Sequence, residues 1–417
     1  MLSRRTTLLS ALAAGAGALS VSAASASASA STASAGSGAA RFNLPRPSGP
    51  WPVGASAYRL VDETRSDPWV TAPPYRELMV SVRYPAARTA GMPAAPQFLP
   101  GEAAGFAAAN NLSGVPGDAV DWAATRTHAR QGAPVARQGG PFPVVLYSPG
   151  VLDPRSLNST LCDDLASRGY VVVTVDHTYE ATAVEFPGGG VATTVIPAEF
   201  AATGQDPVKV IALLEKVTAV RVADTRFVLD RMPALLRRAV GGAAEPHRVG
   251  MFGHSAGGFT ALETMYEDSR IRAGVNLDGV LAYVTDDAVP GNLSPVAAHG
   301  LDRPFLLAGS DTDDLDTEPA WASLWRRSTG WHRGFRLEGA AHASYTDVQS
   351  IVPQLAKPLG LSAQTVESNV GTISPRASIA AQRAYLAAFF DRHLRGRPDR
   401  GLFDMPSARY PRVHLFS

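Results

Sequence analysis

The chain runs to 417 residues, 45% hydrophobic and 18% charged, with a single cysteine and a formal net charge of +1. That balance excludes a wholly disordered or collagen-like chain, and near-neutrality leaves no electrostatic footprint for nucleic acid or an anionic membrane. One cysteine makes no intramolecular disulfide, so a packed core must carry stability, and the length suffices to bury one within a single large domain.

In chain order, residues 1–40 read as an address rather than as fold. Arg4 and Arg5 precede a mild apolar run from Leu8 to Val21, and Ala-Ser repeats across Ala24–Ala35 suit a signal peptidase. The run is Ala/Gly-rich with no stop-transfer pattern, so a secreted protein exported folded by the twin-arginine route is expected. With Arg4 and Arg5 gone, the 38 basic residues become 36 against 37 acidic ones.

Residues 41–56 are dense in Pro and Gly and read as a linker or strap. Tyr58–Asp62 and Glu77–Tyr84 read as strands, the second ended by Pro85. Residues 86–140 read as a long irregular insertion with one helix. The rhythm then becomes strand and helix in turn: a strand at Pro143–Tyr147, a helix over Ser156–Arg168, and a β-branched strand at Tyr170–Val175 buried on both faces. An amphipathic helix spans Pro207–Val240, with Val210, Leu213, Leu214, Val217, Val220 and Val222 in its apolar stripe. Strands at Val249–Phe252, Ala273–Leu277, Phe305–Ala308 and Phe335–Leu337 follow, with helices at Ser255–Tyr266 and Ile379–Leu394. Strands separated by helices imply crossovers and a mostly parallel central sheet covered on both faces, the α/β class.

Gly253-His254-Ser255-Ala256-Gly257 matches G-x-S-x-G between an apolar strand and a helix. A Ser on so sharp a turn needs residues without side chains two positions to either side, and the turn lifts its hydroxyl above the sheet. A serine hydroxyl is a weak nucleophile until a base, itself held by a carboxylate, takes its proton. On such a sheet the order is Ser, acid, His. His342, in the small-residue loop Gly339–Ser344 after a strand, is the candidate base. His393, beside Arg392 and Arg395, is expected to face solvent, while His299 and His332 lie in connections with no strand to position them. For the acid, Asp278 ends one strand and Asp311 follows the next; position alone slightly favours the later strand and Asp311, and Asp311–Asp314 also reads as a solvated acidic loop or weak cation site. The run Asp176–Glu180 reads as a structural or pocket-wall turn. Cys162 reads as a small buried hydrophobe, and no His-Glu-x-x-His is present, so neither metal nor cofactor is expected.

From about residue 75 to 397 the chain resembles the plasma-type platelet-activating factor acetylhydrolases and related bacterial secreted esterases and lipases of the α/β-hydrolase superfamily. The matching segments are Val144–Gly150, Asp164–Val172, Gly253–Gly258 and Ala273–Asp278. The resemblance implies an α/β-hydrolase fold and a triad of Ser255, Asp278 and His342, with Asp311 in reserve. It also implies an oxyanion hole built from the Val151 and Ala256 N–H groups. Where the family more often has His-Gly, this chain has Pro149-Gly150, which alters the flank of that hole. Residues 86–140, which match poorly, are expected to line the acyl or headgroup pocket. The implied activity is hydrolysis of short-acyl phospholipid or other lipid esters through an acyl-enzyme, with at most transient contact with lipid surfaces. A broader lipase or cutinase-like polyester hydrolase, and a non-catalytic binding protein on the same fold, are the competing readings.

Overall fold

A computed structural model describes residues 38–283 and 289–416; the expected signal and its cleavage region lie outside them. The strap is threaded onto the body: Ala40 pairs with Val120, Phe42 and Leu44 are buried, and Ser48 and Gly49 donate to Asp164 and Ser167. The antiparallel pair β1 (Val53–Asp62) and β2 (Arg76–Pro85) follows.

Residues 86–140 are more regular than expected. Besides helix α1 (Pro100–Ala109) they hold strands β3 (Ala94–Pro96) and β4 (Arg126–Gln131), which extend the sheet beyond β1. Three residues and a polar hexapeptide carry no alternating apolar pattern, and their strand character comes from backbone pairing at an edge.

Then come β5 (Phe142–Ser148), α2 (Ser159–Ser167), β6 (Val171–Asp176), a small hairpin of β7 (Ala183–Glu185) and β8 (Val191–Thr193), α3 (Ile196–Ala202) and α4 (Pro207–Val240). Helix α2 begins three residues later than expected because the Asp347 carboxylate accepts the Ser159 and Thr160 N–H groups at 2.8 and 3.0 Å. Helix α4 has the expected bounds, set by Asp206 capping the Val208 N–H, Pro207 in the first turn, and Gly241 in the left-handed region at φ 56°.

The second half supplies β9 (Ala244–His254), α5 (Ala256–Glu267), β10 (Ile271–Leu277), α6 (Pro295–His299), β11 (Phe305–Gly309), α7 (Pro319–Arg327) and β12 (His332–Leu337). It ends with α8 (Val348–Leu359), α9 (Ala363–Val370), α10 (Pro375–Arg395) and β13 (Val413–Phe416). The sheet order is β13-β12-β11-β10-β9-β5-β6-β2-β1-β4-β3, and the six strands from β12 to β6 are parallel.

Alternation along these strands divides the core in two. Val144, Leu146, Val171, Val173, Met251 and Leu307 face α4 and α5, while Val145, Tyr147, Val172, Phe252, Val275 and Leu306 face α2 and α10. A third core joins Phe42 of the strap and Phe98, Phe106 and Trp122 of the insertion to Ile351 and Leu355 of α8. Its border includes Ala343, beside His342, so the insertion props the loop that carries the candidate base.

Candidate active site

Strand β9 ends at His254 and α5 starts at Ala256, leaving Ser255 alone in the turn with φ 56° and ψ −125°. That conformation costs a non-glycine residue about 1–3 kcal/mol and persists because strand and helix fix both sides. The neighbouring glycines are sterically required. A Cβ on Gly253 would sit 2.1 Å from the Gly257 carbonyl, and one on Gly257 would sit 1.9 Å from the Ser148 carbonyl oxygen. Ala256, as the first residue of α5, belongs to the turn whose N–H groups find no partner within their own helix. The helix N-terminus therefore presents these donors beside the Ser255 hydroxyl.

Asp278 and His342 reach the same sheet edge from two further strands. The Ser255 N–H donates to the Leu277 carbonyl at 2.8 Å, which places the nucleophile candidate next to Asp278. Asp278 adopts the left-handed region, φ 62°, which an Asp side chain tolerates better than most. Its Oδ1 accepts the Ser310 N–H at 2.7 Å, and its Oδ2 lies 2.5 Å from His342 Nδ1. Asp278 is fully buried while the His342 side chain keeps 22% of its surface exposed, so solvent and small molecules meet the imidazole and not its carboxylate. The 3₁₀ turn His342–Tyr345 is anchored by the Tyr345 hydroxyl, which donates to the Gly309 carbonyl at 2.7 Å.

Asp311, the second acid candidate, does not engage His342. Its Oδ1 accepts the Gly339 N–H at 2.7 Å and its own N–H donates to the Ala340 carbonyl, stitching the end of β11 to the loop before His342. His393 does not face solvent as expected. It is half-buried against Trp331 and Phe389, its ring tilted to theirs with centroids 4.5 and 4.9 Å apart, and burial lowers its pKa to about 4. His332 likewise has a strand to hold it, opening β12 and stacking on Phe305. Cys162 is fully buried and burial pushes its thiol well up, away from the reactive thiolate.

Two groups of residues escaped sequence reasoning. The His254 ring lies 4.5 Å from that of His342, and its Nε2 is 3.0 Å from the His342 carbonyl oxygen, tying the residue before Ser255 to the base loop. No pattern obliges the variable position of G-x-S-x-G to do this. The other group surrounds Pro149–Leu152. Arg221 of α4, 1% exposed at its side chain, donates to Glu180 at 2.6 Å and to the Pro149 and Gly150 carbonyls at 2.7 and 3.2 Å. It stands four residues after Val217 in the apolar stripe of α4, and a cation there was the available signal.

The turn Asp176–Glu180 is structural. His177 bonds Ser148 Oγ through Nε2 at 2.9 Å and Asp224 through Nδ1 at 3.0 Å, and burial lowers its pKa to about 4. This Ser148–His177–Asp224 chain is sealed, its members no more than 1% exposed, and Arg76 clamps Asp224 through two further bonds.

Among the described residues no group of three or more His, Cys, Asp or Glu is arranged to hold a metal ion. No helix among them is long and apolar enough to cross a membrane.

A mostly parallel sheet with Ser, Asp and His at one edge defines an α/β-hydrolase. The family described as platelet-activating factor acetylhydrolase, isoform II, matches residues 37–187 and 205–395, and the chain belongs to that family and is a carboxylester hydrolase. It is 30% identical over 392 residues to a probable 1-alkyl-2-acetylglycerophosphocholine esterase of Arthroderma benhamiae, covering 89% of this chain and 93% of that protein. It is 24% identical over 202 residues to the platelet-activating factor acetylhydrolase of Cavia porcellus, 43% of this chain and 44% of that one. Among solved structures, the ferulic acid esterase from Streptomyces cinnamoneus superposes with a TM-score of 0.71 at 35% identity, over 90% of this chain and 99% of that one.

Proposed function

We propose that the chain cleaves carboxylic esters through a serine acyl-enzyme. The observation that carries this reading is the 2.5 Å pairing of buried Asp278 with part-exposed His342, next to a Ser255 held on a strained turn. His342 takes the Ser255 proton as Oγ attacks the ester carbonyl, and Asp278 holds the tautomer and the imidazolium charge. The Val151 and Ala256 N–H groups receive the oxyanion. The alcohol leaves with the proton from His342, and water, activated by the same imidazole, releases the acid.

The acyl group lies against the apolar wall beside the oxyanion loop, where Val151, Trp69 and Leu214 border a cluster of Leu152, Ile196, Phe200 and Leu213. Short-acyl lipid esters such as 2-acetylglycerophosphocholines are the favoured substrates. A second reading, hydroxycinnamoyl esters, is favoured by the identity with the Streptomyces esterase, which spans nearly its whole length. The protein acts outside the cytoplasm after twin-arginine export of the folded chain, touching lipid surfaces only transiently.

The test is labelling with a fluorophosphonate, followed by a panel of 2-acyl glycerophosphocholines of increasing chain length, methyl ferulate, tributyrin and a polyester film. Labelling of the parent but not of Ser255→Ala, with about 10⁶-fold loss of kcat in that variant, is expected. Ferulate turnover without acetyl turnover transfers the substrate class, and preference for triglyceride or film transfers it to lipases or cutinases. No labelling of folded protein removes the catalytic reading.

A further inference from the structure

The loop expected to supply an oxyanion donor is held from behind by charge. Arg221 sends three N–H donors from one guanidinium to three acceptors: the Glu180 carboxylate and the carbonyls of Pro149 and Gly150. In a trans peptide the C=O and N–H point in opposite directions. Fixing the Pro149 and Gly150 carbonyls on Arg221 therefore turns the N–H groups of Gly150 and Val151 away from α4.

The rest of the loop is held to match. Ser148, just before it, is tied to His177, and the Leu152 N–H donates to the Glu180 carbonyl at 3.2 Å while Thr182 donates back to the Leu152 carbonyl. Leu152 itself sits at φ 66°, a conformation a leucine keeps only under such restraint. Pro149 removes one backbone donor from the segment, and the guanidinium supplies an external fixture.

We propose that Arg221 is a positioning residue for the oxyanion loop, aiming the Val151 N–H by clamping the carbonyls behind it, with Glu180 fixing the guanidinium. This rests on the acyl-enzyme reading above. The planar fork matters, since a lysine ammonium is a point charge without the rigid array that meets three acceptors in fixed directions.

The test compares parent and Arg221→Lys with p-nitrophenyl acetate and with a short-chain trifluoromethyl ketone. Ser255 Oγ adds to the ketone carbonyl carbon, its proton passes to His342, and the former carbonyl oxygen becomes an oxyanion in the same hole. Loss of a whole oxyanion donor costs about 10²–10³-fold, so a misaimed one is expected to lower kcat by about 10–100-fold. KM should stay within about threefold, and ketone affinity should fall by the same factor as kcat. A folded Arg221→Lys with kcat and ketone affinity both within about twofold of the parent overturns the proposal. If that variant does not fold, Glu180→Gln replaces it: a joint loss of at least about threefold supports the positioning role, and none overturns it. Ser255→Ala separates the two levels, because its retaining activity sinks the acyl-enzyme reading, whereas a dead Ser255→Ala beside an unaffected Arg221→Lys sinks only the clamp.

Discussion

Replacing Asp278 with Asn removes a charge and keeps the shape, and the structure dictates how the amide must sit. Asp278 Oδ1 accepts the Ser310 N–H at 2.7 Å, so the amide oxygen stays there; the reverse orientation would set two donors face to face. The Asn NH₂ then faces His342 Nδ1 at the position where Oδ2 now lies 2.5 Å away. It donates to Nδ1 and drives the imidazole proton to Nε2, the atom that must accept the Ser255 proton. The base is held in the wrong tautomer, and the imidazolium loses its counter-charge in a fully buried position. The equivalent substitution in a serine protease triad lowers kcat by about 10⁴-fold, or about 5.5 kcal/mol of transition-state stabilisation. We expect a fall of about 10³–10⁴-fold here in steady-state kcat on p-nitrophenyl acetate, with KM little changed. Asp311→Asn, which loosens only the Gly339 contact, should keep kcat within about tenfold. An Asp278→Asn enzyme turning over near the parent rate, or a collapse confined to Asp311→Asn, would refute the tautomer argument.

Other consequences concern stability and pH. Burial raises the Glu263 carboxyl to about 7, so its contribution is fully present below its unfolded value near 4.5 and is lost as pH rises through 7. Glu263→Gln should therefore gain about 3 kcal/mol on the parent between pH 4.5 and 8 in urea denaturation, and equal midpoint shifts at both pH values would contradict this. His177 works in the other direction: its pKa is lowered to about 4, so stability held above pH 6.5 drains away as pH falls from there toward 4, by about 3 kcal/mol. A His177→Gln chain should show a flatter stability profile across that window. Arg76→Met strands Asp67 and leaves Asp224 with only Arg65 and His177, and should cost about 3–5 kcal/mol by chemical denaturation. Phe106→Ala opens the third core between Phe98 and Trp122, with an expected loss of about 3–5 kcal/mol in the same assay.

The middle of the sheet was legible in the sequence because strands covered on both faces, such as Val171–Asp176 with its four valines, are mostly apolar and β-branched, and their helices are amphipathic. Helix α4 could be bounded to the residue because Asp206, Pro207 and Gly241 are strong local signals. The strands at the two ends of the sheet, β3 with its neighbour β4 and β13, could not, since β4 buries only Thr127 and Ala129 and depends on its neighbours' backbones. His393 was misplaced because its arginine neighbours suggested water, whereas Arg392 in fact lies over the Trp331 ring. The choice between Asp278 and Asp311 was beyond spacing alone, because both follow parallel strands. In the structure Asp278, on a left-handed backbone and held by the Ser310 N–H, meets His342 at 2.5 Å, whereas Asp311 is taken up by the Gly339 N–H.

The sealed chain from Ser148 through His177 to Asp224 has a practical corollary for counting enzyme. It repeats the hydrogen-bond order of a nucleophilic site, yet no reagent of molecular size can approach it while the protein is folded. Titration with excess organophosphorus compound should accordingly plateau at one equivalent per polypeptide, and a second equivalent taken up in native buffer would mean that the interior opens to solvent.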